Sequence, residues 1–189
     1  MRFPALFQCS DPNGRRLLAF GMAAIKTGKV GVGPGKAREL HFSNIDEMLA
    51  DMDRLLAAER AGTLERLGNW TPGQIFDHLA TWIDYAFDGY PPSLRPPWIV
   101  RFIVGFQKSK FIRGPMPRGV RIPGISGGTL ATDVVPLDEG AAHLRRSAER
   151  LKREKPTQKN VLFGEMTHQE WTAMNLRHAE LHMSFLRPA

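Results

Sequence analysis

Only one cysteine, Cys9, occurs in the 189 residues of the sequence. A single thiol cannot close an internal disulfide, and it excludes both a thiolate-rich metal site and a Cys-x-x-Cys redox motif. The sequence also lacks any apolar run of the roughly 20 residues that a transmembrane helix needs. These absences exclude a disulfide scaffold, a dithiol redox protein and stable membrane insertion.

Nucleic-acid-binding motifs are also missing. The formal net charge of +7 and the pI near 10.0 favour an anionic partner. However, Lys and Arg are spread over the N-terminal segment, the central loop and one helix, and do not form one stripe. Because no motif accompanies the charge, we expect no nucleic-acid partner.

The composition is that of a globular domain. Hydrophobic residues make up 42% of the chain and charged residues 24%, which are ordinary values for such a domain. A chain of this length can bury one core and is short for two. We therefore expect a single domain, over residues 38–189.

Residues 1–37 are interpreted as a leader or linker. Arg15 and Arg16 precede a short apolar segment, a pattern that resembles a twin-arginine export signal. Lys26 and Lys29 follow closely, and no small-x-small cleavage site is visible. A cytoplasmic location is the leading expectation, and export through a degenerate twin-arginine signal is the alternative.

The first half of the domain contains two strong helix patterns. Residues 44–61 place apolar side chains on one stripe, with Ser43 as the predicted N-cap and Asp51 on the solvent side. Thr71, Pro72 and Gln74 then form a predicted capping box that opens a helix running to Gly89.

The second half contains two further helix patterns, after a segment that is harder to interpret. The apolar residues 98–106 fit either a short helix or an extended cover, and the Pro/Gly-rich residues 113–128 fit either a binding loop or a plain crossover. Residues 138–154 form an amphipathic helix with a basic, solvated face. Residues 167–186 form the last helix, which opens with a second capping box, and no convincing strand pattern is present.

Three histidines would meet at one ion if the helix that carries His78 packs beside the last helix. His178 and His182 are four residues apart on the last helix, so their Cβ atoms lie about 5–6 Å apart on one face. His78 is spaced to point inward with the apolar residues of its own helix. Three buried neutral imidazoles without partners would cost free energy, and binding one metal ion removes that cost. His143 and His168 are predicted to be surface residues.

Three nitrogen ligands would leave part of the coordination sphere open, which is typical of a catalytic metal rather than a structural one. The ion would lower the pKa of a water molecule or activate a thiol or carbonyl. Zinc or nickel is the leading expectation, followed by iron. Gln74, Tyr85 and Asn175 are candidate pocket residues; the equal alternative is that they complete hydrogen bonds inside the bundle. Ala179 follows His178 directly, so the pair lacks the glutamate of the zincin motif.

The order and spacing of these motifs resemble a known superfamily. Residues 67–79 read LGNWTPGQIFDHL, residues 163–171 contain Phe-Gly and Glu-Trp, and residues 178–182 read HAELH. This pattern is similar to the DinB/YfiT-like metalloproteins, and more closely to their branch named domain of unknown function 1569. Relatives often carry a His-Pro pair before the Phe-Gly, and Asn160-Val161 stand there instead.

The resemblance implies an all-α, up-up-down-down four-helix bundle with a long Pro/Gly-rich crossover, and a metal triad of His78, His178 and His182. It also implies that the protein is bacterial. Characterised members include thiol S-transferases, an isomerase and hydrolase-like enzymes, so the reaction does not follow from membership. We expect a small-molecule substrate, with a low-molecular-weight thiol as a candidate partner, and a homodimer as a candidate assembly.

Two other functions fit the same residues. A non-catalytic bundle would use the histidines for packing or for a structural metal, and the shortage of inward-facing carboxylates favours it. An anion- or nucleic-acid-binding bundle would use the arginines of residues 138–154. The leading hypothesis remains a metal-dependent hydrolase or thiol S-transferase.

Overall fold

The computed structural model describes residues 36–94, 96, 98–122 and 125–189. Within these ranges the chain is mostly helical, which agrees with the all-α expectation. The twin-arginine pattern and nearly all of the predicted leader lie outside the described residues. None of the helices described is both long enough and apolar enough to span a lipid bilayer.

Helices dominate the chain order, and the strands are short. The elements are α1 (Ile45–Arg60), β1 (Leu64–Arg66), α2 (Pro72–Asp88), α3 (Trp98–Gly105), α4 (Lys108–Arg113), α5 (Leu137–Arg153), α6 (His168–Met183) and β2 (Leu186–Pro188). A 3-10 turn, Ser126–Gly128, lies in the Pro/Gly-rich connection. The apolar residues 98–106 are therefore a short helix and not an extended cover.

The helix starts follow the predicted capping chemistry with two corrections. The cap of α1 is Asn44, whose side chain accepts a hydrogen bond from the Glu47 amide, and not Ser43. Thr71 caps α2, but Gln74 does not complete the box, because its Nε2 donates to the Thr132 carbonyl. At α6 the capping box formed with Glu170 is confirmed.

The end of the chain differs from the sequence prediction. Helix α6 ends at Met183, and Leu186–Pro188 forms β2, which pairs antiparallel with β1. The prediction of a helix to residue 186 without any strand was therefore wrong. Each strand is only three residues long, and so short a run gives no alternating pattern that a sequence can reveal.

One hydrophobic core joins the four long helices. Its wholly buried side chains include Met52 from α1, Phe76 from α2, Leu144 from α5 and Trp171 from α6. Helix α2 packs most extensively against α5. A Cβ atom on Gly140 would lie only 2.2 Å from the carbonyl oxygen of Gly73, and one on Gly73 only 2.5 Å from that of Val135. The close approach of α2 to the start of α5 therefore requires glycine at both positions.

Asp51 was expected on the solvent side of α1, and this was wrong. Its carboxylate is buried and accepts hydrogen bonds from Arg38 at 2.9 and 2.7 Å and from Arg54 at 2.9 Å. The helical pattern places residue 51 beside the apolar stripe, and the segment before α1 supplies Arg38 over it. A buried carboxylate is tolerated here because it is paired.

His143 was predicted to be a surface residue, and the structure places it between two helices instead. From α5 its Nδ1 lies 2.7 Å from Asp77 and its Nε2 lies 2.8 Å from Asp84, both on α2. Burial lowers the pKa of His143, but the hydrogen bonds and charges of the two carboxylates outweigh burial and raise the pKa. His168 is half-buried rather than on the surface, with its Nε2 against the Leu151 carbonyl.

The His143 pair predicts a pH dependence of stability. Because the folded-state pKa is raised, the stabilisation is fully present below the ordinary value of 6.5 and is lost as pH rises through the folded-state pKa. The Tm difference between the wild type and His143→Gln should therefore be larger at about pH 6 than at about pH 9. The ring is partly exposed, so we expect about 1 kcal/mol or less. An equal difference in both buffers would contradict this.

Candidate metal centre

Three histidine side chains from two helices meet at one point. His78 lies on α2, and His178 and His182 lie one turn apart on α6. The Nε2 atoms of His78 and His178 are 3.3 Å apart. Each ring offers one nitrogen to a group whose members all lie within 4.8 Å of one another. The convergence of the three imidazoles therefore agrees with the sequence expectation.

The backbone orients His78. Its Nδ1 lies 3.0 Å from the carbonyl oxygen of Leu130 and 3.1 Å from that of Ala131. Since both partners are acceptors, Nδ1 carries the proton, and Nε2 is left as a lone-pair donor that faces the other two rings. A histidine that binds a metal commonly donates its second ring N–H to a carbonyl in this way.

The two carbonyls converge because Ala131 has an unusual backbone conformation. Its φ of 54° is in the left-handed region, which costs a residue with a side chain about 1–2 kcal/mol. Such outliers occur preferentially at functional sites. The connection before α5 thus uses a strained residue to fix the tautomer of His78. Sequence reasoning missed this contact because a backbone carbonyl carries no residue-type signal.

Aromatic rings hold the other two imidazoles. Trp70 stacks on His182, with ring centroids 5.3 Å apart and planes 5° apart. Trp82 contacts His178 edge-on at 5.8 Å. Neither tryptophan was predicted as a site residue, although Trp70 precedes the α2 cap and Trp82 is one turn beyond His78. The rings are therefore fixed before any ligand arrives.

All three imidazoles are held neutral. Burial lowers the pKa of His78, and it lowers that of His178 well below 6.5, with the neighbouring histidines adding to the shift. For His182, burial and His78 lower the pKa to about 3. His178 and His182 still expose part of each ring to a cavity, although protein surrounds the rest. Neutral imidazole is the form that binds metal ions.

The cavity beside the histidines has a volume of about 380 Å³. Its wall is mainly apolar, and among the described residues that form it none is Asp, Glu, Lys or Arg. The larger apolar and aromatic members include Trp70, Trp82, Tyr90, Phe111, Phe163 and Met174. A cavity of this size and character suits an uncharged small molecule.

The three predicted pocket residues have different positions. Asn175 lines the cavity, and its Nδ2 donates to the Trp171 carbonyl at 3.0 Å. Gln74 and Tyr85 lie outside the cavity wall. Gln74 is bonded to Thr132, and Tyr85 packs against Trp82 at 5.7 Å.

Asn160 shapes a turn beside the cavity. Its Oδ1 accepts hydrogen bonds from the amides of Leu162 and Phe163 at 2.9 and 3.0 Å. Its backbone pairs with Gly164, which has a φ of 67°. Residues 160–163 also line the cavity, as do Met116 and Val120 of the Pro/Gly-rich connection.

The fold and the site together define a class: a helical domain whose core presents three neutral histidines to an apolar cavity. Comparison with protein families agrees with the closer part of the resemblance, to the domain of unknown function 1569. The family model described as "Protein of unknown function (DUF1569)" matches residues 35–189, and the chain belongs to this family. No curated protein and no solved structure matched the chain.

Proposed function

We propose that the chain is a DinB-like, up-up-down-down four-helix bundle that binds one divalent metal ion through His78, His178 and His182. The ion is zinc or nickel in preference to iron. The protein acts as a metal-dependent enzyme of the hydrolase or thiol S-transferase type on a small molecule. The observation that carries the proposal is the convergence of three neutral imidazole nitrogens within 4.8 Å beside a cavity.

The donor set fits a first-row divalent ion. Imidazole nitrogen suits zinc, nickel and iron, and no thiolate or carboxylate among the described residues joins the group. The protonated Nδ1 of His78 and the stacked ring of His182 pre-orient two of the donors. When bound, the ion would supply a Lewis acid that activates a water, thiol or carbonyl group of the substrate.

The protein side chains would choose the substrate by polarity and size. Tyr90, Thr129, Asn160 and Asn175 are the polar non-histidine residues described in the cavity wall. They can offer hydrogen bonds but no full charge. A thiol or ester that carries several carboxylates would therefore lose the hydration of those charges on entry, without gaining an ion pair in return. An apolar cavity of about 150 Å³ holds benzene. The volume of about 380 Å³ therefore suits a neutral molecule with about two rings.

A non-catalytic role has its own support. The 3.3 Å separation of the Nε2 atoms of His78 and His178 is compatible with a hydrogen bond from a protonated His178 Nε2 to the lone pair of His78. The described cavity wall also contains no carboxylate to act as a separate general base. In this alternative the histidines are packed side chains or ligands of a structural metal.

Metal content, together with the access of a ligand to the metal, separates the two roles. Protein purified without a histidine tag should contain about one zinc or nickel ion per chain, and EDTA should lower its Tm. A metal-free protein whose Tm does not change with EDTA would contradict metal binding. If the metal-loaded protein also binds a neutral two-ring hydroxamate more tightly than the EDTA-treated protein does, the ion is open to the cavity. Equal binding by both forms would favour a closed, structural site.

A further inference from the structure

The helix α3 region presents aromatic side chains to solvent. Trp98, Phe102 and Phe106 are 73%, 63% and 77% exposed. They follow one another at intervals of four residues, and the rings of Phe102 and Phe106 are in edge-to-face contact at 5.0 Å. Exposed apolar patches of this kind mark interaction sites. The metal centre proposed above makes no use of them.

The charge of the surrounding segment is entirely of one sign. Residues 89–132 contain seven Lys or Arg and no Asp or Glu, so they account for the whole formal charge of +7. Basic residues are indeed spread along the chain, but elsewhere acidic residues balance them. Arg101, Lys110 and Arg113 are exposed and make no ion pair with a described residue. Lys108, in contrast, pairs with Glu170.

We propose that the face formed by Trp98, Phe102, Phe106 and Arg101, followed along the chain by the exposed Lys110 of α4, docks on an anionic lipid bilayer surface. Aromatic side chains, tryptophan above all, favour the bilayer interface, and basic neighbours are attracted to acidic headgroups. A helix that is apolar on one side and basic beside it lies in the interface rather than across it. This agrees with the absence of a spanning helix among the described residues.

The charge argues against two other occupants of this face. A second copy of the chain would bring an equally basic segment, and like charges would repel across the contact. Residues 1–35 contain five Lys or Arg and one Asp, so they too would be repelled. A bilayer of acidic lipids satisfies both the apolar and the electrostatic features.

The docking face adjoins the cavity. A groove beside α3 is lined by Trp98, Phe102 and Phe106 together with Leu162 and Phe163. Leu162 and Phe163 also line the cavity that contains the histidines. A docked α3 would therefore hold the apolar cavity beside the lipid, where apolar molecules concentrate.

Vesicle flotation tests the proposal on the full chain, with EDTA present so that the result is independent of metal binding. The wild type should float with vesicles of phosphatidylcholine and phosphatidylglycerol at a molar ratio of about 3:1, and not with phosphatidylcholine alone. Raising the salt from about 0.1 M to about 1 M should release most of it. Equal binding to both vesicle types, or binding that salt does not weaken, would overturn the proposal.

Two sets of exposed substitutions locate the surface. Trp98→Ala/Phe102→Ala/Phe106→Ala should abolish flotation, while Val134→Ala, which removes a 73% exposed side chain elsewhere, should not. Arg101→Glu/Lys110→Glu should weaken binding at least about twenty-five-fold, since each basic residue contributes about fivefold. The control Arg146→Glu/Lys155→Glu changes the net charge equally on exposed positions outside the segment, and should weaken binding much less.

Other partners would give different results. If the wild type binds neither vesicle type but binds a single-stranded oligonucleotide, the proposal is wrong and the face binds nucleic acid. If it ignores vesicles and forms a dimer that Trp98→Ala/Phe102→Ala/Phe106→Ala disrupts, the face is a self-association surface. Equal losses in the charge variant and its control would also overturn the proposal, because net charge alone would then explain binding. Unchanged melting curves would confirm that every variant is folded.

Discussion

His178→Ala/His182→Ala is expected to abolish stoichiometric metal binding and to remove all stabilisation by added zinc. The two substitutions leave His78 alone, and a single imidazole cannot hold a divalent ion tightly. A ligand present at about 1,000 times its Kd stabilises a protein by about 4 kcal/mol. For a domain of this size that corresponds to a loss of about 8–16 °C in Tm. Thermal melting with zinc and with EDTA measures the difference.

The control is a second pair of histidine substitutions. His41→Ala/His168→Ala also removes two imidazoles, but both lie outside the cluster. This variant should keep about one ion per chain and its zinc-dependent rise in Tm. In EDTA, any difference in Tm between the cluster variant and the wild type measures the lost packing of the two rings alone, so the zinc-dependent rise in Tm is the quantity compared. If the cluster variant retains the full zinc response, the ion is bound elsewhere.

Asp51→Ala is expected to lower the free energy of unfolding by about 3–5 kcal/mol. The carboxylate is wholly buried, and it pairs with Arg38, whose side chain is only 17% exposed. Its removal leaves that guanidinium without its partner in a place that water reaches poorly. Urea denaturation, with the midpoint and slope both fitted, would measure the loss.

Asp53→Ala is the matched control, two residues further along the same helix. Asp53 also pairs with an arginine, Arg145, but both side chains are about half exposed. Such a pair contributes about 1 kcal/mol or less. Similar losses for the two variants would show that the Arg38 pair is not buried in solution.

The sequence predicted the starts of α2 and α6 well because each begins with a local capping side chain. Thr71 and Thr167 both cap the helix that they were expected to open. The inward direction of His78 followed from its spacing to apolar neighbours. The prediction that His78 meets His178 and His182 came from the family resemblance, because periodicity does not determine which helices are neighbours.

The features that the sequence did not reveal depend on contacts between distant segments. His143 was expected on the surface, but it is held by Asp77 and Asp84, some sixty residues earlier. Asp51 was expected to be solvated, but Arg38, from the segment before α1, covers its carboxylate. Helical spacing predicts only which face of its own helix a residue lies on. It does not predict a partner that comes from another element. The contact of His78 with the carbonyls of Leu130 and Ala131 could not be predicted, because every residue type has a backbone carbonyl.

The most direct test of the central claim is the anomalous diffraction from a crystal of untagged protein grown with zinc. Data collected on both sides of the zinc absorption edge should give one strong peak per chain between the Nε2 atom of His78 and the rings of His178 and His182. The peak should disappear in His178→Ala/His182→Ala crystals. An occupied zinc site elsewhere, with the three imidazoles still packed against one another, would contradict the account.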